Sequence, residues 1–94
     1  MIKSFHGSEV EKIFNCEYSR KLPTSIQRIA LRKLLMLDAA VHINDLRVPP
    51  GNRLEKLSGN RCDEYSIRIN DQWRICFVWD QGHAYHVSIT DYHS

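Results

Sequence analysis

Three consecutive residues near the end of the sequence, Asp91, Tyr92 and His93, offer a carboxylate, a phenol ring and an imidazole. RNA cleavage through the neighbouring 2′-hydroxyl needs a base for its proton, cations that offset charge on the phosphorane, and an acid for the leaving 5′-oxygen. The three residues supply candidates for the base, the acid and a ring that stacks on a nucleobase. A histidine beside a chain end is more often a solvated tail, and from the residues alone we prefer that interpretation of His93.

The cations for such chemistry are Arg68 and Arg74, which flank a polar turn. Polar and apolar side chains alternate on both sides of this turn, which is typical of two half-buried strands. A three-residue loop, Asn70-Asp71-Gln72, would pair Arg68 with Arg74 on the side away from the core, whereas a two-residue loop would spoil both faces. Like charges directly opposite are destabilising in a sheet. A bound anion would relieve that cost, and RNA phosphate is the natural candidate.

Two helices are predicted before this hairpin. Ser8 and Glu11 have the spacing of a capping box, which opens a short helix through Phe14. Pro23 opens a longer helix, whose apolar stripe predicts one buried face. The stripe consists of Ile26, Ala30, Leu34, Leu37 and Val41, and the residues that lie off it are Arg28, Arg32 and Lys33. A core helix with a solvated basic face explains this pattern better than an RNA-binding or partner-binding helix.

The remaining strands are predicted at Ile2–Phe5, at Arg53–Leu57 after a rigid Pro-Pro-Gly loop, and from about His83 to Thr90. On the last strand, Tyr85, Val87 and Ile89 are expected on the core side. The order strand, helix, helix and four strands predicts a single small α+β domain over residues 1–94, with two helices on one face of a mostly antiparallel sheet. The uncovered face would be open and polar, and would carry Arg68, Arg74, Ser66 and Ser88.

Composition narrows the function classes. The net charge of +2 is too small to establish nucleic-acid binding by itself. No apolar run has membrane length, and the first residues are not a signal peptide. Three widely spaced cysteines without a CxxC pair favour a reducing cytosol and argue against zinc or a disulfide framework. We find no phosphate-binding or dinucleotide-binding glycine motif and expect neither a cofactor nor a metal.

The sequence resembles the HigB-type toxins of the RelE superfamily over essentially its whole length. The most specific parts are the block Tyr65–Phe77 and the terminal Asp-Tyr-His, and further matches lie at 37–40, 45–55, Gly59, Arg61, Gly82 and Ala84. The resemblance implies a RelE-like fold and a cytoplasmic toxin that inhibits translation by cleaving mRNA on the translating 70S ribosome. It also implies a HigA-type helix-turn-helix antitoxin, through which alone the toxin would reach DNA.

Carried over to this sequence, the resemblance makes Asp91, Tyr92 and His93 active-site residues, and Arg68 and Arg74 phosphate-contacting positions. One segment departs from some relatives, which supply a histidine and a lysine where this chain has Glu55 and Ser58. Glu55 could then take a carboxylate role in catalysis. The residues that could replace the lost positive charge and contact RNA are Arg53, Lys56 and Arg61.

Two other functions stay open on the sequence. A toxin relic without activity could bind the antitoxin and modulate transcription of the shared operon. A plain RNA-binding domain would instead form stable complexes with free RNA. Toxicity on induced expression, with mapping of mRNA 5′ ends, separates the enzyme from both.

Overall fold

The computed structural model describes residues 1–57 and 63–91, and within them it contains two α-helices and one four-stranded antiparallel sheet of order β1-β2-β3-β4. The helices are α1 (Ser8–Phe14) and α2 (Thr24–Ala39), and the strands are β1 (Glu55–Lys56), β2 (Glu64–Arg68), β3 (Trp73–Asp80) and β4 (His83–Asp91). Two short 3₁₀ helices, Ile43–Arg47 and Pro50–Asn52, connect α2 to the sheet. The predicted α+β class, with two helices on one face of an antiparallel sheet, is confirmed.

The core lies between the helices and one face of the sheet. Four residues of the predicted α2 stripe, Ile26, Ala30, Leu34 and Leu37, are buried against apolar side chains of the strands. Val41 was predicted in the same stripe, but the helix ends at Ala39 and Val41 is exposed. The sheet contributes Ile67, Ile75, Phe77, Ala84 and Val87 to the core, and the turn after β2 contributes Ile69. Burial of each large apolar side chain stabilises the fold by about 1.5–3 kcal/mol.

The β2–β3 hairpin has the predicted register. Arg68 lies opposite Arg74, and Ile67 lies opposite Ile75. The Asn70 side chain accepts hydrogen bonds from two backbone N–H groups of the turn, Gln72 at 2.8 Å and Trp73 at 2.8 Å. An asparagine side chain that bonds the backbone two residues ahead favours such a turn. The face of the sheet opposite the helices carries Ser66, Arg68, Arg74, Cys76 and Ser88, and we call it the arginine face.

The β3–β4 pair contains a bulge that the sequence did not predict. Cys76 pairs with Ser88 and Val78 pairs with Tyr85, so two residues of β4 stand opposite Phe77 alone. The bulge brings Tyr85 to the arginine face and Ala84 to the core, so the predicted core position of Tyr85 is wrong. His86 has φ +53° at this point, a left-handed conformation that non-glycine residues adopt infrequently.

Three predicted boundaries also differ. The segment Ile2–Phe5 forms two isolated parallel bridges with β4 instead of a full strand. The first helix is capped by Gly7 without a side-chain hydrogen bond, because Ser8 already lies in its first turn and its hydroxyl contacts Glu9. The predicted strand Arg53–Leu57 is shorter, at Glu55–Lys56, and the Leu57 N–H donates one further hydrogen bond to the Glu64 carbonyl oxygen at 2.8 Å. Arg53 has φ +45° and lies outside the strand. None of the helices in the described ranges is long and apolar enough to cross a membrane.

Candidate nucleic-acid interface

The strand registers arrange the arginine face in two rows that run across the sheet. Directly paired residues of neighbouring strands lie on the same side of a sheet. One row is Glu55, Ser66, Cys76 and Ser88, and the adjacent row is Arg68, Arg74 and Thr90. Two cations therefore stand next to a carboxylate and two hydroxyl groups. The structure brings together Glu55, Arg68 and Arg74 from the predicted site.

Arg74 is the centre of this arrangement and is buried, with 8% of the residue exposed. Its Nε donates to the Ser66 hydroxyl at 2.8 Å, and its Nη2 donates to the Arg53 carbonyl oxygen at 2.6 Å. The Glu55 carboxylate lies 3.9 Å from Nη2. Ser66 is fully buried as well. The prediction of an open polar face is therefore wrong around Ser66 and Arg74, because the segment before β1 packs against this part of the sheet. The guanidinium is held in one orientation.

Arg68 is the more accessible arginine, with 31% of its side chain exposed, and it pairs with Asp71 at 2.5 Å in the turn. The hydrogen bond from Arg68, together with its charge and that of Arg53, lowers the pKa of Asp71. From the sequence, a bound anion was predicted to relieve the repulsion between the two arginines. Carboxylates of the protein, Asp71 for Arg68 and Glu55 for Arg74, already offset part of that repulsion.

A buried brace fixes the segment that holds Arg74. Lys33 of α2 was predicted on a solvated basic face, but it is 5% exposed and its Nζ donates to the Asn52 side-chain oxygen. Asn52 Nδ2 in turn donates to the Leu46 carbonyl oxygen at 3.1 Å. Burial lowers the pKa of Lys33, and the charges of Arg32 and Arg68 lower it further. Because Asn52 precedes Arg53, this brace positions the carbonyl oxygen that binds Arg74.

The other predicted site residues are distributed as follows. Asp91 ends β4 opposite Trp73, on the side of the sheet away from Arg74, and its Oδ2 accepts a hydrogen bond from Gln72 Nε2 at 3.2 Å. Lys56 is exposed and pairs with Tyr65, so its register places it on the side opposite to Glu55. The Arg53 side chain is exposed beside the arginine face. Three predicted residues, Arg61, Tyr92 and His93, lie outside the described residues.

Sequence reasoning missed the roles of Lys33, Asn52 and Ser66. Ser66 alternates with apolar neighbours, and the register places it on the same face as Arg74, in the adjacent row. Lys33 and Asn52 are far apart in sequence, and only the packing of α2 against the 3₁₀ segment joins them. Among the described ranges, no group of three or more His, Cys, Asp or Glu side chains has the arrangement of a metal site.

The Arg68–Asp71 pair yields the first prediction. If Arg68 binds RNA phosphate, Asp71 competes for the same donors, and Asp71→Asn should tighten binding of a single-stranded RNA by about two- to fivefold at low salt. Fluorescence anisotropy with a labelled oligonucleotide measures the change. Asp80→Asn, at the opposite end of β3, makes the same charge change away from both arginines. Equal tightening in both variants would show a general charge effect without a role for Arg68.

Comparison with known proteins agrees with this architecture. A family model described as "RelE-like toxin of type II toxin-antitoxin system HigB" matches residues 3–93. The chain is 51% identical to Toxin HigB-1 of Vibrio cholerae over 65 residues, which cover 69% of this chain and 68% of that protein. It is 33% identical to Endoribonuclease HigB of Proteus vulgaris over 94 residues, which cover 99% of this chain and 100% of that protein.

Solved structures share the fold at lower sequence identity. The YoeB–YefM complex from Staphylococcus aureus contains a chain that is 20% identical, with a TM-score of 0.61 and coverage of 100% of this chain and 99% of that chain. The YoeB dimer from the same organism is 22% identical, with a TM-score of 0.59 and coverage of 99% and 95%. Both confirm the predicted RelE-like arrangement of helices and sheet.

Proposed function

Because the chain belongs to the HigB family of RelE-like toxins of type II toxin–antitoxin systems, we propose that it is an endoribonuclease that cleaves mRNA on the translating ribosome. The observation that supports this most directly is the fixed guanidinium of Arg74 beside Ser66 and Glu55. A cation held in place before the substrate binds needs no reorganisation when charge develops in the transition state. The name of the Proteus vulgaris relative states the same class of activity.

The two arginines have different electrostatic roles. Arg68 is accessible and can exchange Asp71 for an RNA phosphate, to which a guanidinium binds with two parallel hydrogen bonds. Arg74 is nearly enclosed, and in a poorly hydrated environment its charge acts more strongly on a phosphate above it than it would in water. Arg68 thus binds the substrate, while Arg74 stabilises the charge that forms on the phosphorane.

Glu55 and His93 are the proposed proton-transfer groups. Of the two predicted carboxylates, Glu55 lies in the row next to the arginines and is more than half exposed, whereas Asp91 lies on the other side of the sheet. We assign Glu55 as the base for the 2′-hydroxyl and His93 as the acid for the 5′-oxygen. Tyr92 stacks on a base of the mRNA. Asp91, bonded to Gln72, positions the end of β4 from which Tyr92 and His93 continue.

The ribosome and an antitoxin are the proposed partners. The net charge of +2 is modest for an enzyme that must hold RNA by itself, so the ribosome supplies the orientation of the mRNA in its A site. The antitoxin is a HigA-type helix-turn-helix protein that neutralises the toxin and carries the DNA contacts. Action on ribosomes places the protein in the cytoplasm.

The test compares cleavage with and without ribosomes. Purified protein should cut an mRNA in the A site of programmed ribosomes and leave the same RNA nearly intact in solution. Primer extension of the mRNA 5′ ends measures both reactions. Efficient cleavage of the RNA alone would contradict the ribosome-dependent mechanism. Toxicity without any new 5′ end, or no toxicity at all with retained antitoxin binding, would favour the relic that acts only through its antitoxin.

A further inference from the structure

A cavity of about 300 Å³ opens on the arginine face next to the two rows. It is lined by His6, Glu64, Cys76, Val78, His86 and Ser88. Glu64 and Val78 are directly paired, and Cys76 and Ser88 are the neighbouring pair on the same side of the sheet. Three strands and the segment before α1 therefore contribute to its walls. None of these residues has a role in the chemistry assigned above.

The bulge in β4 shapes this cavity. It inserts an extra residue opposite Phe77 and places His86 in the wall with φ +53°. The His86 N–H donates to the Ser4 hydroxyl at 2.9 Å, and the His6 N–H donates to the Val87 carbonyl oxygen at 2.8 Å. Bulges are enriched next to functional sites, where they redirect a side chain. Here the bulge and the N-terminal segment bring two imidazoles to one opening.

The cavity continues the path of the proposed RNA strand. Cys76 lies two residues from Arg74 along β3, which is about 7 Å on the same face. Ser88 stands in the same relation to Thr90 along β4. A nucleotide whose phosphate lies over the arginines can therefore direct its own base, or that of its neighbour, into the cavity.

We infer that this cavity is a base-binding subsite, which holds one nucleobase of the mRNA beside the cleaved phosphate and contributes to codon preference. The inference rests on the proposed function, because the RNA strand is placed by its arginines. Val78 and Cys76 form an apolar floor, and the imidazoles of His6 and His86 stack on or bond the base, as aromatic and histidine rings do with single-stranded RNA. The Ser88 hydroxyl and the Glu64 carboxylate face its hydrogen-bonding edge. An ionised carboxylate only accepts hydrogen bonds, so the base must present an N–H group to Glu64.

The first experiment measures codon preference on ribosomes. A panel of mRNAs that differ in one base of the A-site codon at a time is cleaved by the parent and by His86→Ala, Ser88→Ala and Glu64→Gln. We expect the preference at one codon position to fall about tenfold in these variants, while the preference at the other positions stays. His42→Ala, an exposed histidine after α2, is the matched control. The same codon ranking in the parent and all cavity variants would overturn the inference.

A second experiment does not depend on cleavage. The protein is titrated with a 2′-O-methyl RNA oligonucleotide, which lacks the attacking hydroxyl, and backbone amide shifts are followed by NMR. Shifts at Cys76, Val78 and Ser88 that disappear in Ser88→Ala support the subsite. Shifts confined to Arg68 and Arg74, or none at all, overturn it. Shifts at the cavity with no cleavage on ribosomes would retain the subsite and refute the proposed endoribonuclease.

Discussion

Arg74→Ala is expected to reduce single-turnover cleavage on programmed ribosomes at least about a hundredfold, because it removes the fixed cation that stabilises the phosphorane. The same change should lower the free energy of unfolding by about 2–3 kcal/mol. The buried Ser66 hydroxyl and the Arg53 carbonyl oxygen would lose the donor that satisfies them. Glu55 contributes little to this loss, since an exposed carboxylate 3.9 Å from its partner is weakly coupled.

Arg68→Ala is the matched comparison, because it removes the same side chain from the directly paired position. Arg68 is more exposed and bonds the exposed Asp71, so its loss should weaken substrate binding and leave the chemical denaturation midpoint nearly unchanged. Arg74→Lys keeps the charge without the planar fork, and should recover part of the stability and little of the rate. Unchanged cleavage in Arg74→Ala, measured where the variant is folded, would remove Arg74 from the mechanism.

This expectation replaces the one that followed from the sequence. Two like charges predicted side by side on an open face implied that either arginine could be removed without loss of stability. The structure confirms the pairing but adds partners that come from outside the hairpin: the Arg53 carbonyl oxygen from the segment before β1 and the Glu55 carboxylate from β1. Alternation along a strand fixes which side a residue faces, but not what packs against that side.

The hairpin was predictable because its information is local. Next to the turn, apolar and polar residues alternate in both strands, and only a three-residue loop keeps Ile67 opposite Ile75. The bulge at His86 was not predictable in this way, since the alternation of Tyr85, Val87 and Ile89 reads as an unbroken strand. The bulge lies between the two positions of β4, Ala84 and Val87, that bridge to the segment Ile2–Phe5. That segment is separated from β4 by most of the chain.

The candidate site was also predictable only in part, because some of its contacts join distant parts of the chain. The resemblance to HigB toxins indicated Arg68, Arg74 and Asp91 from matched positions, and Glu55 as a replacement carboxylate. Only the register shows that Glu55 shares a face with the arginines and that Asp91 does not. The hydropathy pattern of α2 does not predict the brace between Lys33 and Asn52, because a lysine that lies off an apolar stripe is usually solvated. Its burial depends on the loop that follows α2.

The second large effect concerns the C-terminal residues. Deletion of Tyr92, His93 and Ser94 should abolish toxicity while folding and antitoxin binding persist. The last strand is secured before this point: Thr90 pairs with Arg74, Asp91 pairs with Trp73, and the Asp91 side chain bonds Gln72. The deletion therefore removes no described strand pairing, and thermal unfolding with antitoxin pull-down checks that the protein remains native. If these three residues were only a solvated tail, their deletion would leave toxicity unchanged.

Single substitutions separate the two functional residues of this segment. His93→Ala should slow single-turnover cleavage by about 10²–10⁴-fold, the usual contribution of a positioned acid or base. Tyr92→Ala should instead weaken substrate engagement by roughly 1–3 kcal/mol, the value of one stacked base, which raises the concentration of toxin needed for half-maximal cleavage. His42→Ala is the control for loss of a histidine elsewhere. Full toxicity of His93→Ala at matched expression would exclude His93 as the acid, and the proton for the leaving oxygen would then have to come from another group.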